Sequence, residues 1–80
     1  MAAPSAIPAI KAAADSNDRK AIPRLVQCLD DRDSAIRFAA ISALKRMTGQ
    51  DFGYRYYDDE WNRRQAIAQW HQWLKDHPTS

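Results

Sequence analysis

The sequence predicts an all-α domain of four helices, and three observations predict it. Apolar residues recur at three- and four-residue spacing in four separate stretches. No stretch combines period-two alternation with the β-branched content of a strand. Short runs rich in Asp, Asn, Ser and Gly divide the periodic stretches, as helix caps and turns do. Eighty residues with 45% hydrophobic and 28% charged content leave room for one core. A chain of this size buries only about 60% of the surface its unfolded form exposes, so each large apolar side chain matters.

The first helix, residues 5–15, starts with Ser5 as a cap and Pro8 in its first turn, where a missing N–H is harmless; Ile7, Ile10 and Ala14 form its stripe. The polar break DSND follows, and Asp18 caps a second helix over residues 19–30. There Ile22, Leu25, Val26 and Leu29 share one face and Pro23 sits in the first turn. After DDRDS, Asp33 or Ser34 caps a third helix over residues 34–48. Ile36, Ala40, Ala43, Leu44 and Met47 line one side of it, while Phe38 and Ile41 widen the apolar surface toward a second neighbour. Gly49 takes the left-handed C-terminal position. Residues 50–57 connect to a fourth helix capped by Asp58, with Asp59 and Glu60 near the positive end of its dipole. Its stripe is Ile67, Trp70 and Leu74, flanked by Ala66 and Trp73, and it ends before Pro78.

Seven of the eight aromatic residues fall between residues 48 and 73. Helical phase assigns Trp70 to the core and favours a structural place for Trp61 and Trp73. In FGYRYY, Gly53 makes a tight bend with Phe52 tucked beneath it. Tyr54, Tyr56 and Tyr57 cannot all face inward from so short a loop, so at least one ring is expected at the surface beside Arg55. Two readings stand there: the hydroxyls satisfy loop carbonyls and helix ends, or Tyr and Arg together form a recognition site.

Chemistry is sparse. Cys28 lies by the apolar stripe of the second helix, where a small core residue is expected rather than a nucleophile. His71 and His77 are separated by about 600° of helical rotation and cannot pair on a metal. The carboxylates Asp30, Asp31 and Asp33, and Asp58, Asp59 and Glu60, are placed as caps and lack calcium-loop spacing. Two glycines make no phosphate-cradling loop. No enzyme, cofactor, metal or small-molecule substrate is therefore expected. The formal charge is +2, with twelve basic and ten acidic residues interleaved, which suits solubility better than a nucleic-acid footprint. Signal-like and membrane-spanning runs are both lacking, and with one cysteine a reducing, cytoplasmic setting is the expectation.

Residues 21–48, AIPRLVQCLDDRDSAIRFAAISALKRMT, resemble a HEAT repeat. The resemblance rests on Pro23 in an apolar first helix, then Leu29, Asp31 and Asp33 in the turn, Ile36 and Arg37, then Ala39, Ala40, Ala43 and Leu44. The following TGQDFGYRYYDDEWNRRQAIAQWHQWL is similar to a segment found after the last such unit in some bacterial repeat proteins. The resemblance implies a four-helix α–α superhelix fragment forming a single domain over residues 1–80, with residues 21–48 its clearest repeat. Residues 50–77, an aromatic loop and a helix, would cap it. Asp31 and Arg37 would carry the roles of the turn Asp and second-helix Arg that form a polar ladder between stacked repeats, with Trp70 and Leu44 as packing residues. AIPAIKAAAD at residues 6–15 echoes AIPRLVQCLD at residues 21–30, but the offset is less than half a repeat period, so the echo relates two helices.

By resemblance, the expected function is protein–protein interaction or scaffolding without catalysis, with an unidentified protein as partner. One candidate surface is the exposed side of the third helix, with Arg37, Ser42, Lys45 and Arg46; the other is the loop with Tyr54, Arg55, Tyr56 and Tyr57. The alternative is nucleic-acid binding through Arg19, Lys20 and Arg24, Lys45 and Arg46, and Arg55, Arg63 and Arg64 with exposed Tyr. Interleaved carboxylates weaken that reading by cancelling much of the field.

Overall fold

The structure, a computed structural model, describes residues 6–78. Among them lie four α-helices: α1 (Ile7–Asp15), α2 (Ile22–Cys28), α3 (Ser34–Thr48) and α4 (Glu60–Asp76). A 3₁₀ turn at Arg19–Ala21 precedes α2. The Ser5 cap predicted for α1 lies outside the described residues; Ala6 precedes the helix and Pro8 sits in its first turn.

Pro23 breaks the predicted second helix in two. Its missing N–H leaves the Arg19 carbonyl without an α-helical partner, and a continuous helix would drive its ring against that same carbonyl. The chain tightens instead: the Ile22 N–H donates to Arg19 O, and the Asp18 carboxylate accepts the Lys20 N–H at 3.2 Å. At the far end, α2 unwinds through three successive i→i−3 bonds from Leu29, Asp30 and Asp31. Ile22, Leu25, Val26 and Leu29 are all buried, as their spacing predicts.

Asp33 caps α3 by accepting the Ala35 N–H at 2.9 Å. The helix stops at Gly49, whose φ of 76° lets its N–H return to Lys45 O. The α4 cap falls one residue later than expected. Asp59, in extended conformation, accepts the Asn62 N–H at 2.8 Å, while the Asp58 carbonyl accepts from Arg63 Nη1 at 2.6 Å.

A five-residue turn folds α2 and α3 into an antiparallel hairpin. Beside it, α1 packs along α3, and the Arg46–Asp15 ion pair joins their C-terminal ends, so the two run parallel. On the other side, α4 approaches α2 more closely than it approaches α3. Two layers result, α1 with α3 and α2 with α4, and the Cα extents of 39 × 30 × 17 Å match a slab two helices deep. The core between them holds Ile10, Leu25, Leu29, Leu44 and Trp70.

Candidate functional site

The loop from Gly49 to Asp59 is built around a tight turn. Tyr54 N–H donates to Asp51 O at 2.9 Å, and the Asp51 carboxylate accepts the Gly53 N–H at 2.9 Å. Both central residues have positive φ, 54° at Phe52 and 74° at Gly53. A bulky residue rarely adopts that conformation. Burial offsets the strain, because the Phe52 ring meets Trp70 edge-on with centroids 4.8 Å apart. Phe52 is therefore tucked in, as the sequence suggested.

The three tyrosines divide between the two readings. Tyr54 is buried and its hydroxyl donates to Leu29 O at 2.7 Å, which fastens the loop to the end of α2. It is not placed to touch a partner, contrary to its inclusion among the contact residues. Tyr56 is half-buried, Tyr57 is 67% exposed, and Arg55 is exposed. The Tyr56 ring lies edge-to-face with Tyr57 at 5.2 Å and with Phe38 of α3 at 5.0 Å. Phe38 is itself 53% exposed, so the second neighbour expected for it is the loop, and the three rings make one surface row. Phe38 was absent from the predicted contact residues. The available signal was an aromatic ring set off the α3 stripe, two residues from both Ile36 and Ala40.

Burial pushes the Tyr54 hydroxyl up to about 12, with Arg37 and Arg63 pulling it down and Asp30 adding to the rise. The folded chain holds this proton over a range in which the unfolded chain, titrating near pH 10, has released it. The neutral phenol's contribution is fully present below about pH 10 and is lost as pH rises toward 12. The urea midpoint of the parent should fall more steeply across that window than that of Tyr54→Phe. Parallel curves would show that the phenol titrates alike in both states.

Arg37 does not belong to an exposed groove surface. Only 9% exposed, its guanidinium donates to Asp31 O at 2.7 Å and Arg32 O at 3.0 Å through Nη1, and to Tyr56 O at 3.0 Å through Nε. Within this unit the guanidinium bonds backbone carbonyls, and the Asp31 carboxylate accepts the Asp33 N–H at 2.8 Å. Lys45 and Arg46 are exposed but engaged, with Asp51 at 3.7 Å and Asp15 at 2.6 Å. Exposed pairs contribute little, so Lys45→Ala and Arg46→Ala should each shift stability by under about 0.5 kcal/mol in urea titrations. A larger loss would assign these pairs a structural role.

A groove of about 370 Å³ opens between α1 and α3, with Ile10, Ala14 and Ala43 in its floor and Phe38 at one wall. Phe38 thus joins the groove to the aromatic row. Trp70 is fully buried; Trp73 is half-buried, edge-on to Trp70 at 5.8 Å and stacked on His77 at 4.2 Å. Trp61, expected to be structural, is 71% exposed at the start of α4.

Burial, with the Asp31 charge second, pushes the Cys28 thiol up, which holds it protonated and poor as a nucleophile. Among the described residues no group of three His, Cys, Asp or Glu is placed to hold a metal ion, and no helix is long and apolar enough to cross a membrane.

Two layers of helices, with α1 and α3 as parallel neighbours and α2 and α3 as a hairpin, define an α-solenoid unit. The profile of HEAT repeats matches residues 6–70, and the chain belongs to the HEAT-repeat family. Neither a curated protein nor a solved structure matches it. The matched span is wider than residues 21–48 and takes in α1 and most of α4. HEAT repeats generally mediate protein–protein interaction or scaffolding, and the family is typically non-enzymatic.

Proposed function

We propose that this chain is a non-catalytic protein-interaction module whose contact surface is the row Phe38, Tyr56 and Tyr57 together with the groove beside it. The observation that carries this reading is the continuity of three edge-to-face rings with an apolar groove. Aromatic rings of this kind give much contact area for little conformational entropy, and they are enriched among interface residues that dominate binding. Arg55 adjoins the row, and Lys45 and Arg46 contribute to the surrounding polar rim. Tyr54 and Arg37 act behind the surface and hold its backbone. α4 serves as the polar cap of the stack, presenting Arg64, Gln65, Gln69 and Gln72 outward while Trp70 closes the core.

The ion pairing disfavours nucleic acid as the partner. Lys45, Arg46 and Arg64 each meet a carboxylate at 3.7, 2.6 and 2.7 Å, so these cations are partly neutralised before any phosphate arrives.

The test is affinity capture from a lysate at about 0.15 M salt, where long-range surface charge is screened, with the parent beside a folded Tyr56→Ala/Tyr57→Ala variant. A protein held by the parent and lost by the variant supports the reading. Nucleic acid as the sole captured species, or proteins held equally by both, removes it.

A further inference from the structure

The α1–α3 groove has a chemistry that selects its occupant. Its walls are parallel helices, and at its mouth the small side chains Ala39 and Ser42 leave room for a third rod. A helix laid there would meet Phe38 at one end of its apolar side, with the interaxial spacing of about 8–10 Å usual for packed helices. The two charged residues that line the groove are both cations on opposite walls, Lys11 from α1 and Arg46 from α3. Asp15 is bound to Arg46 at 2.6 Å, and Asp33 is occupied in capping Ala35. Lys11 meets no carboxylate within ion-pair distance among the described residues.

We propose that this groove receives an acidic amphipathic helix of a partner protein, with its apolar side against Ile10, Ala14 and Phe38 and its carboxylates first toward Lys11, and toward Arg46 only in competition with Asp15. The inference rests on the protein-interaction reading and adds the partner's chemistry. Complementary charge sets orientation and speeds encounter, whereas a basic helix would place like charges together across the groove. Asp15 is a built-in competitor: an incoming carboxylate shares Arg46 with it.

The experiment selects binders from a displayed library of random peptides about twenty residues long, enough for a helix of about 30 Å, using the intact chain as bait and Phe38→Ala as the counter-selection. Enriched peptides are then titrated by fluorescence anisotropy. The expected result is enrichment of peptides that carry Asp and Glu beside apolar residues at three- and four-residue spacing. Lys11→Glu should weaken them about two- to fivefold, on the scale of exposed charge pairs. Asp15→Asn, which frees Arg46, should strengthen them. Neutral or basic peptides with the same dependence on Phe38 would overturn the acidic partner and leave the interaction reading standing. Absence of any Phe38-dependent peptide would overturn both. Concentration-dependent dimers abolished by Phe38→Ala would assign the groove to a second copy of the chain and overturn the inference.

Discussion

Trp70→Ala should cost about 3–5 kcal/mol, the range for removing a large aromatic side chain from a core. At roughly 0.05–0.15 kcal/mol per residue, a domain of this length carries a total of about 4–12 kcal/mol, so the variant should sit near the edge of unfolding or beyond it. The cause is local and countable. Trp70 has 0% of its surface exposed and contacts the rings of Phe52 at 4.8 Å and Trp73 at 5.8 Å. Its indole N–H meets no acceptor among the described residues, so burial and ring packing carry its contribution. Without the indole, Phe52 would lose the contact that offsets its positive φ, and the tight turn before Tyr54 would loosen with it. Urea unfolding followed by far-UV circular dichroism checks this, with Trp61→Ala as the comparison because that ring is 71% exposed. Equal midpoints for the two variants would refute the account of the α4 packing.

The helix faces were legible because burial against one neighbouring layer repeats at the helical period, and Ile22, Leu25, Val26 and Leu29 show that pattern without interference. Gly49, and the α3 cap as Asp33 or Ser34, were legible for a different reason: a left-handed stop and a side-chain acceptor are local requirements that few residues meet, and the structure selects Asp33. The α4 cap was less determinate. Asp58 and Asp59 both supply a suitable carboxylate, and the choice depends on an extended backbone at Asp59 and on the use Arg63 makes of the Asp58 carbonyl.

The surface was read least well, because its decisive bonds join residues distant in the chain. Tyr54 reaches Leu29 and Arg37 reaches Tyr56, and both end on backbone carbonyls, which leave no mark in the pattern of side chains. Hence two residues that looked available for a partner are consumed inside the fold. Phe38, which looked like packing, stands half outside it.

Arg37→Met, which keeps most of the side-chain volume, should cost about 2–4 kcal/mol. Hydrogen bonds to a charged donor contribute about 1.5–3 kcal/mol, and removing this donor strips three carbonyls at once. Those carbonyls belong to Asp31 and Arg32 in the α2–α3 turn and to Tyr56 in the aromatic loop. One guanidinium therefore clips the hairpin to the segment that carries the surface rings. Arg37→Lys should recover only part of the loss, because an ammonium cannot reproduce the planar fork that reaches both segments. The effect should also be spatially uneven. Amide exchange should accelerate at Tyr54 and Asp58, whose N–H groups close the turn before Tyr56 and the turn that contains it, more than in the middle of α3. A uniform loss of protection would mean that Arg37 stabilises the domain as a whole and does not position the loop. An unchanged urea midpoint would remove it from the structural account altogether. If the uneven pattern holds, the same variant should weaken any ligand that depends on Tyr56 and Tyr57, although Arg37 itself is buried behind them.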